Sequence, residues 1–438
     1  MGKSTPLTVL ESSFLAMEGP ELPLHVAALL ILGATEPITM PELRRLVAAR
    51  LPRLPKFRQR VKSSPLSLGR PQWTRMRRLN LDSHLFQHRL APPGRRSQLF
   101  ALCALIHEKP LARSRPLWEM HLIQGLEGGE QALLIKAHHA VTDGIAGVGL
   151  AQVLFDREPA IKRHVELPQT RFVDCARSSP QGILKGLVGL ALTAARGPIV
   201  TSGPFNGAVR AHRAFVVATL RMDAMLRAKR QIGGSVDDVL LALVAAGLNQ
   251  YLGELRYPET PRALRAMVPV STRPASRSAT FGNHVTAIFV DLPTDSADVP
   301  RLVRQIAASK AILRTEHAAE GASMAIGAVG MLPNPVHEAV LRLVSRVPFA
   351  HLILSDVRGL DEPLFLLGRR IAACYPMMPL ARAVGLSIAA VSMDEQMGVG
   401  ISSDPGLVPE PQRLARAIEW ALDRYERSYG LGELRPAA

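Results

Sequence analysis

Cysteine is scarce in this 438-residue chain: Cys103, Cys175 and Cys374 stand far apart and form no CxxC pair. An odd, dispersed set supports neither a disulfide framework nor a cysteine-type zinc site, and it fits a reducing compartment. Aromatic residues make up only 5%. That poverty, with no RNP-like or finger motif among the cations, argues against nucleic acid as a partner. Long apolar runs are missing too: the longest uncharged stretch, 321–337, contains Pro333, Asn334 and Pro335. A spanning helix needs roughly 20 apolar residues, so any meeting with a membrane is expected at its surface. The first residues lack the apolar core of a signal peptide, and a cytoplasmic location is expected. No G-x-S-x-G elbow occurs, so nucleophilic serine catalysis lacks its signature.

What is present is globular. Hydrophobic residues make up 47% and charged residues 21%, which excludes a mostly disordered chain. A single core rarely grows past ~250–300 residues, so two domains are expected. A cluster of Gly197, Pro198, Gly203, Pro204 and Gly207 marks a linker over 196–215, leaving 1–195 and 216–438 as the domains. Strand patterns fall at 24–32, 118–126, 132–139, 264–270, 285–292, 351–354, 386–393 and 397–401. Helix patterns fall at 41–51, 99–106, 144–155, 239–252 and 414–425. Both kinds mix in both halves, so the class is α/β or α+β. An apolar stretch at 182–195 suits either a buried or a membrane-touching helix.

The most informative stretch is His138-His139-Ala140-Val141-Thr142-Asp143-Gly144. It stands where a strand should give way to a helix. Alternation puts His139 on the face of Leu133, Ile135 and Ala137, with His138 facing the side of Leu134 and Lys136. Two adjacent strand histidines point apart and do not easily chelate one metal, so no metal is expected. One imidazole at a strand end can instead serve as a general base near neutral pH. Asp143 sits in the turn, and Gly144 permits tight backbone entry into the helix.

The heptad matches the HHxxxDG motif of acyltransferases related to chloramphenicol acetyltransferase. The chain as a whole resembles the bacterial wax ester synthase/diacylglycerol acyltransferase family almost end to end. Pro23-Leu24-His25-Val26 resembles its PMHV segment, and Leu81-Asp82-Ser83-His84 followed by Pro92-Pro93-Gly94 its LDxHV…PG segment. Arg115-Pro116-Leu117-Trp118-Glu119 resembles RPLWE and stands just before the heptad. Downstream, Val236-Asp237-Asp238-Val239-Leu240 resembles VNDVVL, and Met267 to Arg273 resembles MVPVSxR. Phe281-Gly282-Asn283 and Ser355-Asp356-Val357 resemble the GN and SNVPGP segments.

The resemblance implies two chloramphenicol-acetyltransferase-like domains with an active-site channel between them. It implies His139 as the base that deprotonates a diacylglycerol or long-chain alcohol for direct attack on an acyl-CoA thioester, without an acyl-enzyme or a cofactor. Asp143 would hold the loop through an arginine, with Arg273 the candidate. Asp238, Gly282 and Asn283 match the family pattern and would be either structural turn residues or part of the substrate channel, with Asp237 a supporting motif position. Five positions depart from the family pattern: Asp237 and Asp356 replace asparagines, Arg358 and Leu360 replace the prolines of the SNVPGP segment, and Ala112 replaces an acidic residue. An Asn changed to Asp trades two amide donors for acceptor-only oxygens. A non-catalytic or weakly active lipid-binding member of the fold therefore stays open, as does a carrier-protein thioester as donor.

Lys plus Arg is 53 against 37 Asp plus Glu, a net charge of +16. Such an excess suits CoA phosphates and anionic headgroups, and peripheral contact with the inner membrane or lipid droplets is expected. Eight cations lie between Arg44 and Lys62 with Leu46, Val47, Leu51 and Leu54 among them, a pattern shared by interfacial and core-facing helices.

Overall fold

The computed structural model describes residues 4–34, 36–63, 69–142, 144–159, 200, 203–257, 261–271, 285–315, 332–360 and 362–428. The strands are β1 (Thr5–Pro6), β2 (His25–Leu32), β3 (Gln59–Lys62), β4 (Gln72–Arg75), β5 (Leu85–Arg89), β6 (Trp118–Gln124), β7 (Gln131–His138) and β8 (Ala214–Arg221). They continue as β9 (Ala263–Ser271), β10 (Val285–Pro293), β11 (Leu352–Leu360), β12 (Phe365–Leu366), β13 (Arg369–Met377), β14 (Leu386–Met393) and β15 (Gln396–Ser403). The helices are α1 (Val9–Met17), α2 (Met40–Arg50), α3 (Arg96–Glu108), α4 (Gly144–Leu154), α5 (Met222–Ile232), α6 (Val236–Glu254), α7 (Val299–Thr315), α8 (Asn334–Val344) and α9 (Pro411–Ser428). Every strand and helix expected from the pattern within these residues is present, with ends shifted by a few residues. The stretch 182–195 lies outside the described residues.

Local chemistry starts the helices. Thr8 and Glu11 form a reciprocal capping box on α1, as Thr39 and Glu42 do on α2 and Ser235 and Asp238 on α6. Pro41 occupies the first turn of α2, where its missing N–H costs nothing. α2 turns Leu43, Leu46 and Val47 into the core and buries Arg50 against Asp156 at 2.7 Å. The apolar residues among the 44–62 cations therefore face protein, not lipid.

Two six-stranded mixed sheets form the frame, in the orders β12-β13-β2-β7-β6-β5 and β10-β9-β11-β14-β15-β8. A small third sheet joins β1, β4 and β3. In the second sheet, α6 and α9 cover one face; Val239 to Leu248 of α6 is buried almost without interruption. In the first, α3 covers the face of Leu29, Ile31 and Leu134.

The two halves are not independent in sequence. β13 lies in the second half of the chain but pairs antiparallel with β2, from Ile371 opposite Leu32 to Met377 opposite Ala27. It satisfies backbone groups along a strand that would otherwise be a sheet edge. The expected boundaries change accordingly: 365–377 belongs to the first sheet, and Ala214 and Phe215 of the expected linker already belong to β8. β13 also presses on β15 of the other sheet. A Cβ added at Gly398 would come within 1.9 Å of the Cys374 carbonyl oxygen, and one at Gly400 within 1.8 Å of the Pro376 carbonyl oxygen. Only glycine allows backbones this close. Tyr375 adds a 2.9 Å hydroxyl hydrogen bond to Thr219 of β8.

Replacing Gly400 by Ala should cost about 1–3 kcal/mol, because the contacting atom is backbone and cannot swing aside. Urea unfolding of Gly400→Ala against wild type measures this; an unchanged midpoint would show that the two sheets are not held at that seam.

Candidate active site

β7 delivers the heptad. His138 is its last residue, paired across from His25 of β2, and the chain then turns: the Val141 N–H donates to the His138 carbonyl at 2.8 Å. His139 leaves the strand with its own N–H donating to the Leu24 carbonyl at 2.8 Å. α4 begins at Gly144. Asp143, Arg273, Gly282 and Asn283 lie outside the described residues, and with them the Asp143–Arg273 pairing.

The two histidines have different surroundings. His138 is buried on the α3 side. Its Nδ1 accepts the Ala140 N–H at 3.0 Å, which leaves the proton on Nε2, and Nε2 lies 3.2 Å from Glu18 Oε1. Both ring nitrogens of His138 are engaged by protein, so it orients the turn. His139 is 8% exposed, and its ring stacks on Phe14 with centroids 4.1 Å apart and planes 16° apart. Such stacking is worth about 0.5–1.5 kcal/mol and restricts the ring to one plane. Among the described residues no group of three or more His, Cys, Asp or Glu converges on a metal position.

Phe14 lies on α1 and Glu18 is that helix's C-cap residue, its N–H donating to the Phe14 carbonyl, so the end of one helix meets both histidines. Sequence reasoning missed them, because nothing in the local pattern links them to the histidines. Glu18 also lies 3.4 Å from His25 Nε2 and accepts from Arg113 Nη2 at 2.9 Å. Burial alone would raise its carboxyl, but the close approach of His138 and His25 and the hydrogen bond from Arg113 outweigh it and hold the group ionised far below the usual carboxylate range. Burial pushes His25 down to about 4 and holds His107 well below the ordinary imidazole value. These two are neutral braces: His107 Nε2 donates to the His25 carbonyl at 3.0 Å, and His25 Nδ1 faces the His107 carbonyl at 3.3 Å. Lys136, fully buried, donates to the Ile106 carbonyl at 2.7 Å and to Lys109, placing a cation at the end of α3.

An apolar cavity of about 160 Å³ lies between the two sheets. Val26 and Ala28 of β2, Ala137 of β7 and Met377 of β13 line one side; Val357 of β11 and Val391 of β14 line the other. Thr142 of the heptad is part of its wall, three residues beyond His139.

The altered asparagine positions come together on the far side of β11. Ser355 and Val357 face the cavity, so the alternation of the strand turns Asp356 toward the helices. Burial, with the charge of Asp237 added to it, pushes the Asp356 carboxyl up to about 7. Lys310 of α7 joins Asp237 and Asp238, reaching Asp238 Oδ1 at 2.7 Å. Asp238 also accepts the Ser235 N–H at 2.8 Å. Asp238 is thus a capping-box and ion-pair residue.

Two mixed sheets closed over an apolar cavity, with a paired-histidine turn at its rim, define a class of acyl-transfer fold. The wax ester synthase/diacylglycerol acyltransferase from Marinobacter aquaeolei VT8 has this fold, with a TM-score of 0.73 at 22% identity over 98% of this chain and 100% of that one. The first condensation domain of the calcium-dependent antibiotic synthetase is more distant, with a TM-score of 0.64 at 17% identity over 100% of this chain and 97% of that one. The wax ester synthase/diacylglycerol acyltransferase catalytic domain matches residues 7–240, and the C-terminal domain of the same family matches residues 281–426. A Mycobacterium tuberculosis protein named as a diacylglycerol O-acyltransferase is 30% identical, over 96% of this chain and 92% of its own length. The chain belongs to the wax ester synthase/diacylglycerol acyltransferase family, and it is an acyltransferase.

Two outcomes follow. Glu18→Gln keeps the volume but loses the charge that faces His138, and turnover should fall by up to about 10²-fold as the heptad turn loosens; wild-type turnover with an unchanged circular dichroism spectrum would contradict this. Asp356 behaves oppositely to a paired carboxylate. Its folded value is about 7, above the unfolded value of about 3.9, so the folded state holds the extra proton and stability is lost as pH rises through that window. Asp356→Asn should therefore gain about 1–3 kcal/mol above pH 7 and little near pH 4. Urea titrations at about pH 5 and 8 report the difference.

Proposed function

We propose that this chain moves a long-chain acyl group from acyl-CoA to the hydroxyl of a diacylglycerol or a long-chain alcohol, with His139 as general base. The apolar cavity that reaches Thr142 carries the reading: it offers an alkyl chain a dry site beside the heptad, where a peptide-bearing carrier would meet few polar partners. His139 takes the hydroxyl proton as the oxygen attacks the thioester carbonyl. The new C–O bond forms, the C–S bond breaks, and the imidazolium returns its proton to the departing CoA thiolate.

A thioester is already activated, so the reaction asks for no cofactor. Holding both substrates together supplies effective molarities of roughly 10⁵–10⁸ M. The acceptors partition into lipid, which supports the reading of a cytoplasmic enzyme working against the inner membrane or a lipid droplet.

The test is free-CoA release from palmitoyl-CoA with and without diolein or hexadecanol. Acceptor-dependent release should fall by about 10²–10⁴ in folded His139→Ala. No release with any acceptor, alongside tight binding of acyl-CoA, would instead establish a lipid-binding member of the fold.

A further inference from the structure

Exposed apolar side chains are not spread evenly over the molecule. Nine large ones are exposed among the described residues, and five of these fall within 332–349: Leu332, Val336, Leu343, Val344 and Phe349. Leu343 is 67% exposed and Val336 47%. Val336 and Leu343, seven residues apart on α8, stand two helical turns apart on one face. The opposite face of α8 is the packed one. Asn334 and His337 are buried there, and His337 Nε2 lies 3.1 Å from Ser13 Oγ of α1. Surface apolar residues scattered singly are normal, whereas a cluster rimmed by cations marks a docking site. Arg342 and Arg346 supply the cations, both exposed, Arg342 with a 3.1 Å contact to Glu338.

We propose that α8 and the segment to Phe349 form the face by which the protein lies on an anionic phospholipid bilayer. Apolar side chains beside arginines, on a chain of net charge +16, match a surface with an acyl interior and negative headgroups. The neighbouring helix gives the face its purpose. α1 lies directly beneath α8 and carries Phe14 and Glu18 to the two histidines. A cleft of about 220 Å³ between α1 and α8 has Arg342 and Glu338 on its outer wall and Glu18 inside. Lipid seated on the outer face of α8 would thus be separated from His139 by α8 and α1. This purpose rests on the proposed acyltransferase reaction; the binding itself does not.

The experiment is flotation of the full chain with vesicles of phosphatidylcholine alone or with phosphatidylglycerol added, read beside CoA release from a short-chain, water-dispersed acceptor. Wild type should float with the anionic vesicles, and less so as salt is raised. Val336→Ser/Leu343→Ser should lower the bound fraction about tenfold or more, since burying each such side chain is worth ~1.5–3 kcal/mol, a factor of ten or more per residue. Turnover of the dispersed acceptor should not change. Leu226→Ser, at an exposed apolar residue of α5, should float like wild type. Equal flotation of the double variant would overturn the assignment, as would a wild type that ignores anionic vesicles. A dimer in size-exclusion chromatography that the double variant dissolves would overturn it in favour of a second copy. Flotation without CoA release would sink the enzymatic reading alone, and release without flotation would sink the docking face alone.

Discussion

The structure depends on one backbone contact, the crossing of β13 over β15. Gly398 and Gly400 leave room for the Cys374 and Pro376 carbonyls to lie against the second sheet. β13 is at the same time a hydrogen-bonded member of the first sheet. One strand is therefore fastened to both sheets. Its side chains Cys374 and Met377 then form part of the wall of the space between them. Without that crossing, the cavity would be two separate sheet faces.

Around this frame, charge is used to hold geometry rather than to face solvent. Glu18 is ionised in a nearly closed site because Arg113 and His138 meet it, and neutral His25 and His107 brace the strands beside it. A buried carboxylate with one partner removed is costly, so such a network acts as a unit. It leaves His138 fully engaged and His139 held by stacking at the turn. The different settings of two adjacent, identical residues arise from what each ring meets.

Much of the site was legible in advance. The heptad and its place between a strand and a helix follow from alternation, and the two-sheet architecture from the family resemblance that short segments in order carry. The 44–62 cations were ambiguous, because a helix with an apolar stripe looks the same against lipid or protein until a neighbour is known. Phe14 and Glu18 were not found, since more than a hundred residues separate them from the histidines and nothing local links them. The departures at Asp237 and Asp356 were visible as letters, but their proximity was not.

By itself the sequence determined which segments become strands and helices, where the capping boxes start α1, α2 and α6, and the heptad that ends β7 and opens α4. These are properties of near neighbours, set by periodicity and local hydrogen bonding. Only the tertiary structure decided that β13 joins the first sheet, that α1 serves both histidines, and that Lys310 joins the two aspartates. Each of those pairs residues far apart in the chain, and the energy that selects them comes from burial and shape complementarity, which no local pattern encodes.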